Sequence, residues 1–219
     1  MRGLFVTGTG TEVGKSVLTA AICAALVARG ERVEAFKPVV TGLDEPAGEF
    51  GRDHDLLAAQ TGQAPEEVAP YLFGPAVSPH LAAELAGVTI EPASLRPPAG
   101  TGGMVVCEGV GGLMVPLTPG YLVRDLAVDL ALPVVVAARP GLGTINHTAL
   151  TVEAARAAGL RVAGVVMTPW PQEPDAMQRS NCASVERITG VDVAPLAHTD
   201  VAGLAAAGGT LPLDEWLRA

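Results

Sequence analysis

The residues best suited to chemistry begin with Val6-Thr7-Gly8-Thr9-Gly10-Thr11-Glu12-Val13-Gly14-Lys15-Ser16. An apolar run, Leu4-Phe5-Val6, precedes this loop, and an alanine-rich, helix-favouring segment from Val17 to Arg29 follows it. A strand, a glycine loop and a helix in that order make an anion cradle. The glycines let backbone N–H groups close on phosphate oxygens, and the helix contributes the positive end of its dipole. Lys15 has the reach for terminal phosphates, and the Ser16 hydroxyl suits Mg²⁺. The common loop, Gly-x-x-x-x-Gly-Lys-Ser/Thr, is one residue shorter, since here five residues separate Gly8 from Gly14. A nucleoside triphosphate site is predicted.

Four further stretches could carry chemistry, three of them just after strand-like runs. Arg32-Val33-Glu34-Ala35-Phe36-Lys37 ends at Pro38, so Lys37 stands where it could stabilise charge on a transferring phosphoryl group, with Thr41 close behind. Met104-Val105-Val106-Cys107 leads into Glu108-Gly109-Val110-Gly111-Gly112, an acid placed like the second metal ligand of nucleotide-binding α/β proteins. Arg52-Asp53-His54-Asp55 opens a helix. One of its two acids caps that helix, and the other is available to a Mg²⁺ shell with Ser16 and Glu108. Arg139-Pro140-Gly141-Leu142-Gly143-Thr144-Ile145-Asn146 is a glycine-rich loop opening a helix; its N–H groups suit a carboxylate, while Thr144 or Asn146 could cap.

The elements that must position these residues alternate. Strand-like runs cover Leu4–Val6, Arg32–Lys37, Met104–Cys107, Leu132–Ala138, Arg161–Met167 and Val191–Ala194. Helical segments cover Val17–Arg29, Asp55–Gln60, Pro79–Ala86, Val123–Leu130, Thr148–Ala158 and Ala176–Thr189. Nearly continuous apolar runs belong to parallel strands covered on both faces. The expected fold is α/β: a mostly parallel sheet flanked by helices in three layers, of the P-loop nucleotide-hydrolase kind, with ligands at the carboxyl ends of the strands. Thr41–Gly51 and the turn-rich Glu91–Gly103 read as loops within one domain over residues 1–219.

Composition narrows the function. Fourteen basic against 23 acidic residues give a net charge of −9, which argues against nucleic acid and anionic membranes as partners. Aromatic residues are only 4%, too few for base-stacking platforms. The three cysteines, Cys23, Cys107 and Cys182, have no paired spacing and fit reduced thiols in a cytoplasmic protein. No apolar run reaches membrane-spanning length, and the chain enters its first strand without a signal-peptide layout.

Taken together, Thr7 to Ser16, Phe36-Lys37-Pro38-Val39-Val40-Thr41-Gly42, Ser78-Pro79-His80, Glu108 to Leu113 and Gly143-Thr144-Ile145-Asn146-His147 resemble the dethiobiotin synthetases, in the same order along most of the chain. The longer loop spacing is that family's own variant. The resemblance implies a homodimeric, Mg²⁺- and ATP-dependent cyclo-ligase of biotin biosynthesis. It would take 7,8-diaminononanoate and CO₂ to a carbamate, phosphorylate this to a carbamic-phosphoric anhydride and close the ureido ring. By position, Gly10, Glu12, Val13, Gly14, Lys15, Ser16 and Val17 would hold the nucleotide, with Asp55, Glu108, Gly109, Val110, Gly111 and Thr168 around it. Ser16, Asp55 and Glu108 would bind Mg²⁺. Lys15, Lys37 and Thr11 would act in catalysis. Thr11, Lys37 and Thr41 would contact the diamine or carbamate, and Gly143, Thr144, Ile145 and Asn146 its distal carboxylate across the dimer interface.

One departure concerns the base. Many members carry an Asn where this chain has Thr168-Pro169-Trp170-Pro171, so backbone near Thr168 or the loop Pro195–His198 would replace it, and other nucleoside triphosphates become possible co-substrates. The alternative is a partition-type switch ATPase, whose loop carries an early signature lysine; Gly8–Val13 has none. From sequence alone, Lys37→Ala is expected to fold normally and lose turnover.

Overall fold

The computed structural model describes residues 1–97 and 102–218. Strands β1 (Gly3–Gly8), β2 (Val33–Phe36), β3 (Val39–Val40), β4 (Tyr71–Leu72), β5 (Met104–Glu108), β6 (Pro116–Thr118), β7 (Tyr121–Leu122), β8 (Val134–Ala138), β9 (Val162–Trp170) and β10 (Val193–Ala197) are interleaved with helices. The helices are α1 (Lys15–Ala28), α2 (Asp53–Thr61), α3 (Pro65–Val68), α4 (Pro79–Ala86), α5 (Val123–Leu130), α6 (Thr144–Ala157), α7 (Ala176–Thr189), α8 (Leu204–Gly209) and α9 (Leu213–Trp216).

Six strands form one parallel sheet in the order β10-β9-β8-β1-β5-β2. This is the expected α/β fold. Side chains alternate across each strand. Leu4 and Val6 of β1 join Leu18, Ile22 and Leu26 of α1 in one core, while Phe5 joins Leu126 of α5, Val152 of α6 and Val185 of α7 in the other. Both faces are covered, which is why Val134-Val135-Val136 is apolar without interruption. The connections run from β1 to one side and then, at β8, to the other, so the crevice lies at the carboxyl end of β1.

Helices α4, α5 and α7 have the bounds read from sequence, whereas α2 starts two residues earlier and α6 at Thr144. Elements absent from the sequence reading are the β3–β4 pair, the β6–β7 hairpin, α3, α8 and α9. They are short, and α8 contains two glycines that weaken any helical signal. Within the expected loop Glu91–Gly103, Pro92–Leu95 forms a 3₁₀ turn, and residues 98–101 lie outside the described residues. The Thr41–Gly51 loop is clamped at its base, where the Arg52 guanidinium donates to the carbonyls of Gly42 and Leu43 at 3.2 and 2.8 Å. Among the described residues no helix is long and apolar enough to cross a membrane.

Candidate active site

Strand register brings the chemistry together. Phe36 of β2 pairs with Cys107 of β5, so the next residues, Lys37 and Glu108, emerge side by side. Val6 of β1 pairs with Glu108, which sets that carboxylate beneath the glycine loop that follows β1. Gly14 then caps α1 in a left-handed conformation, φ +84°, with no side-chain cap. An L-residue resists that conformation, and a Cβ here would lie 2.7 Å from Cγ2 of Thr168. The loop turns into the helix only because this position is glycine.

One cavity of about 640 Å³ is lined by Thr11, Glu12, Gly14, Lys15, Ser16, Val17, Lys37, Thr41, Asp53, Val110, Gly111 and Arg139, with Gly48 to Gly51 along its rim. Glu108 is fully buried behind Ser16 and Lys37, and Lys15 and Lys37 are nearly so. The Lys37 ammonium donates to Glu108 Oε1 at 2.7 Å, to Ser16 Oγ at 3.3 Å and to the Asp53 carboxylate. Ser16 Oγ donates to the same Glu108 oxygen at 2.9 Å, whereas Glu108 Oε2 is buried without a partner. Lys15 Nζ donates to the Gly10 carbonyl at 2.7 Å.

Burial alone would lower both lysine pKa values. At Lys37 the carboxylates of Glu108 and Asp53 outweigh burial and hold its pKa above the ordinary value. At Lys15 burial prevails over Glu108 and brings the ammonium down to about 8. Burial works to raise Asp53, but the Lys37 ammonium beside it holds that carboxyl below the usual range.

Asp55 is not part of this cluster, contrary to the sequence expectation. Its side chain is 57% exposed and faces His54 Nε2 at 3.7 Å, while Asp53 reaches Lys37. Because α2 begins at Asp53, the two acids are separated by two helical positions and point to nearly opposite sides. Only one can face the cavity. Neither acid makes a side-chain cap; Arg52 holds that position.

Gly10, Val13 and Gly109 belong to the loops around the cavity without lining it. Val13 is buried, and the Gly109 N–H donates to Val6 at 2.9 Å. Thr168 is buried behind Gly14. Gly143, Thr144, Ile145 and Asn146 do not reach the cavity of their own chain. Gly143, φ +90°, caps α6 without side-chain help, and the Thr144 hydroxyl is buried 3.4 Å from that of Thr148. Sequence reading placed Arg139 at the head of a candidate loop but gave its side chain no role. It follows β8 and donates from Nε to the Glu12 carbonyl at 2.6 Å. Nothing local marks it, since only the pairing of β8 with β1 brings it to the loop.

Similarity to known proteins agrees with this geometry. A family model described as an AAA domain matches residues 2–198. The ATP-dependent dethiobiotin synthetase BioD of Anoxybacillus flavithermus is 39% identical over 199 residues, covering 88% of this chain and 90% of that one. The chain belongs to the dethiobiotin synthetase family. As a member it is an enzyme, of the ligase class. The proteins of the same name from Bacillus subtilis (36% over 202 residues, 88% and 85% of the two chains) and an Anaeromyxobacter species, strain Fw109-5 (43% over 204 residues, 90% and 91%), are similarly related. A crystal structure of a ParA family ATPase from Chlorobium tepidum superposes with TM-score 0.56, over 97% of this chain and 93% of that one. At 12% identity this likeness concerns the fold alone.

Proposed function

We propose that the protein is an ATP-dependent dethiobiotin synthetase acting in the cytoplasm as one catalytic domain, joining 7,8-diaminononanoate and CO₂ into a cyclic urea. The observation that carries this reading is the Lys37 ammonium held among Ser16, Asp53 and Glu108 at the foot of the Lys15 loop. A switch ATPase needs the loop and the acids, but a phosphorylated carbamate needs a cation of this kind beyond the loop.

The residues fit a magnesium ion. Glu108 Oε2 is a buried oxygen with no partner, and Ser16 and Asp53 add a hydroxyl and one further carboxylate. Mg²⁺ takes few carboxylates and shares its shell with phosphates and water, which this donor set allows. Bound there, Mg²⁺ would neutralise phosphate charge.

The chain's own groups supply the rest. An amine of the substrate attacks CO₂, forming the N–C bond and releasing a proton to solvent. Backbone N–H groups of Gly10 to Ser16 hold the triphosphate, and Lys15 and Lys37 offset charge as the γ-phosphoryl passes to a carbamate oxygen. Thr11 and Thr41 orient that carbamate. The second amine then attacks the carbonyl carbon, the C–O bond breaks, phosphate leaves and a second proton is lost.

We place the substrate carboxylate at the α6 N-terminus of a partner copy in a homodimer. Support comes from the exposure of Gly143 and Asn146 and of apolar side chains nearby: Leu142 at 95%, Leu150 and Met114. The buried Thr168 offers no side chain to the base, so GTP and CTP are proposed to serve alongside ATP. Comparable turnover with all three would support that, and strict dependence on ATP would remove it.

Product mass after incubation with 7,8-diaminononanoate, bicarbonate and Mg-ATP tests the function. The cyclic urea, with phosphate release only when diamine is present, is the expected result. Phosphate release without diamine and without product would favour a switch ATPase instead.

A further inference from the structure

Arg139 occupies a place that the function above does not use. Its backbone is fixed from both sides. The Thr9 N–H donates to the Ala137 carbonyl at 3.0 Å, which zips the start of the glycine loop to the end of β8. The buried Asn181 of α7 donates to the carbonyls of Pro140 and Gly141 at 3.0 and 3.2 Å, clamping the chain just beyond. From this rigid post the guanidinium reaches the crest of the loop, where Nε donates to the Glu12 carbonyl at 2.6 Å. Glu12 is held at φ +57°, left-handed backbone that L-residues adopt uncommonly and at a cost.

The peptide joining Glu12 to Val13 is planar and trans, so its carbonyl and its N–H point in opposite directions. Tethering the Glu12 oxygen to Arg139 therefore fixes the Val13 N–H to face the other way. In a glycine loop built to hold phosphate, the direction of each N–H decides whether the cradle is formed before the anion arrives. Charge points the same way. The cavity is lined by three cations, Lys15, Lys37 and Arg139, among the described residues. The two lysines are buried, and Lys37 is committed to carboxylates; Arg139 is exposed. Nε is its only hydrogen-bonded side-chain atom among the described residues, and the terminal nitrogens remain a planar fork that can donate to phosphate oxygens.

We propose that Arg139 is a positioning residue for the nucleotide: it sets the Glu12–Val13 peptide for the polyphosphate and presents its terminal nitrogens to the same anion. This rests on the nucleotide-site reading above. The ligand it recognises is the phosphate chain and not the base.

The test is calorimetric binding of Mg-ATP and of inorganic tripolyphosphate to wild-type, Arg139→Gln and Arg139→Lys protein, with hydrogen exchange of the segment 9–15. Arg139→Gln is expected to weaken both ligands by roughly tenfold or more. Exchange of the loop amides should rise while the thermal midpoint stays near wild type. Arg139→Lys, which keeps the charge but not the fork, should recover part of the affinity. In turnover, KM for nucleotide should rise more than kcat falls. Undiminished binding of both ligands by Arg139→Gln, or a loss confined to ATP, would overturn the inference and leave the nucleotide site standing. Wild-type protein that binds neither ligand would overturn the nucleotide-site reading itself.

Discussion

Lys37 and Glu108 form an ion pair at the ends of adjacent strands, Nζ to Oε1 2.7 Å, with the acid fully buried and the lysine nearly so. Such a pair is worth little against water, but breaking it strands a charge in the protein interior.

Lys37→Ala is therefore expected to lose stability as well as turnover, where the sequence alone led to an expectation of normal folding. Turnover should fall by roughly 10²-fold or more, and unfolding free energy by about 3–5 kcal/mol. Thermal melts and steady-state rates of Lys37→Ala and of Lys37→Ala combined with Glu108→Gln separate the two effects. The double variant should regain most of the stability and none of the turnover. Wild-type rates in either variant would refute the role of Lys37.

The same ammonium bonds Ser16, Asp53 and Oε1 of Glu108, beside the Glu108 Oε2 assigned to the metal. In nucleotide-free protein a divalent cation competes with it for Ser16 and Asp53 and meets its like charge. Mn²⁺ binding to Lys37→Met, followed by electron paramagnetic resonance, should be roughly tenfold tighter than to wild type. Equal or weaker binding would show that lysine and metal do not compete.

The orientation of α2 separates its two acids. Asp53→Asn should shift the Mg²⁺ titration of turnover to higher concentration by about tenfold or more. Asp55→Asn, altering an exposed side chain, should stay close to wild type. The reverse pattern would restore Asp55 as the ligand.

Lys15 titrates near 8 in the free protein, below its ordinary 10.5. Between these values the unfolded chain holds a proton that the folded chain has released, so stability of the nucleotide-free protein rises with pH across that window. Triphosphate binding needs the ammonium, so affinity should weaken above pH 8, by up to about tenfold per unit, with proton uptake on binding. Calorimetry in buffers of different ionisation enthalpy measures that uptake. A flat profile from pH 7 to 9.5 would contradict it.

Gly208 of α8 lies against α1, where an added Cβ would stand 2.0 Å from the Ala21 carbonyl oxygen. Gly208→Ala should cost about 1–3 kcal/mol, read from chemical denaturation. A neutral outcome would mean that α8 can move away from α1 freely.

Much of the fold was legible because its signals are local. The six sheet strands are centred on short apolar runs, broken only at places such as Glu34 in β2, and α4, α5 and α7 carry their boundaries in Pro79, in the turn after Leu130 and in the Asp175 cap. The elements that escaped depend on contacts made elsewhere. Helix α8, with its glycines, exists because Gly208 admits α1 at close range, and no window of its own sequence says so.

The candidate site divides along the same line. Gly14-Lys15-Ser16 announces a phosphate loop because glycine conformation, lysine reach and helix dipole all act within one stretch of chain. Lys37 and Glu108 could be named as strand-end residues, but their ion pair follows from the β2–β5 register. The choice of Asp53 over Asp55 required the rotational phase of α2, which a one-residue error in its start would change by about 100°. Arg139 meets Glu12 across 127 positions of sequence. The sequence by itself determined which groups could hold a nucleotide, since that chemistry resides in residue type and short spacing. Only the tertiary structure decided which of them face one another, because register, helix phase and the order of strands set distances between segments that the chain leaves far apart.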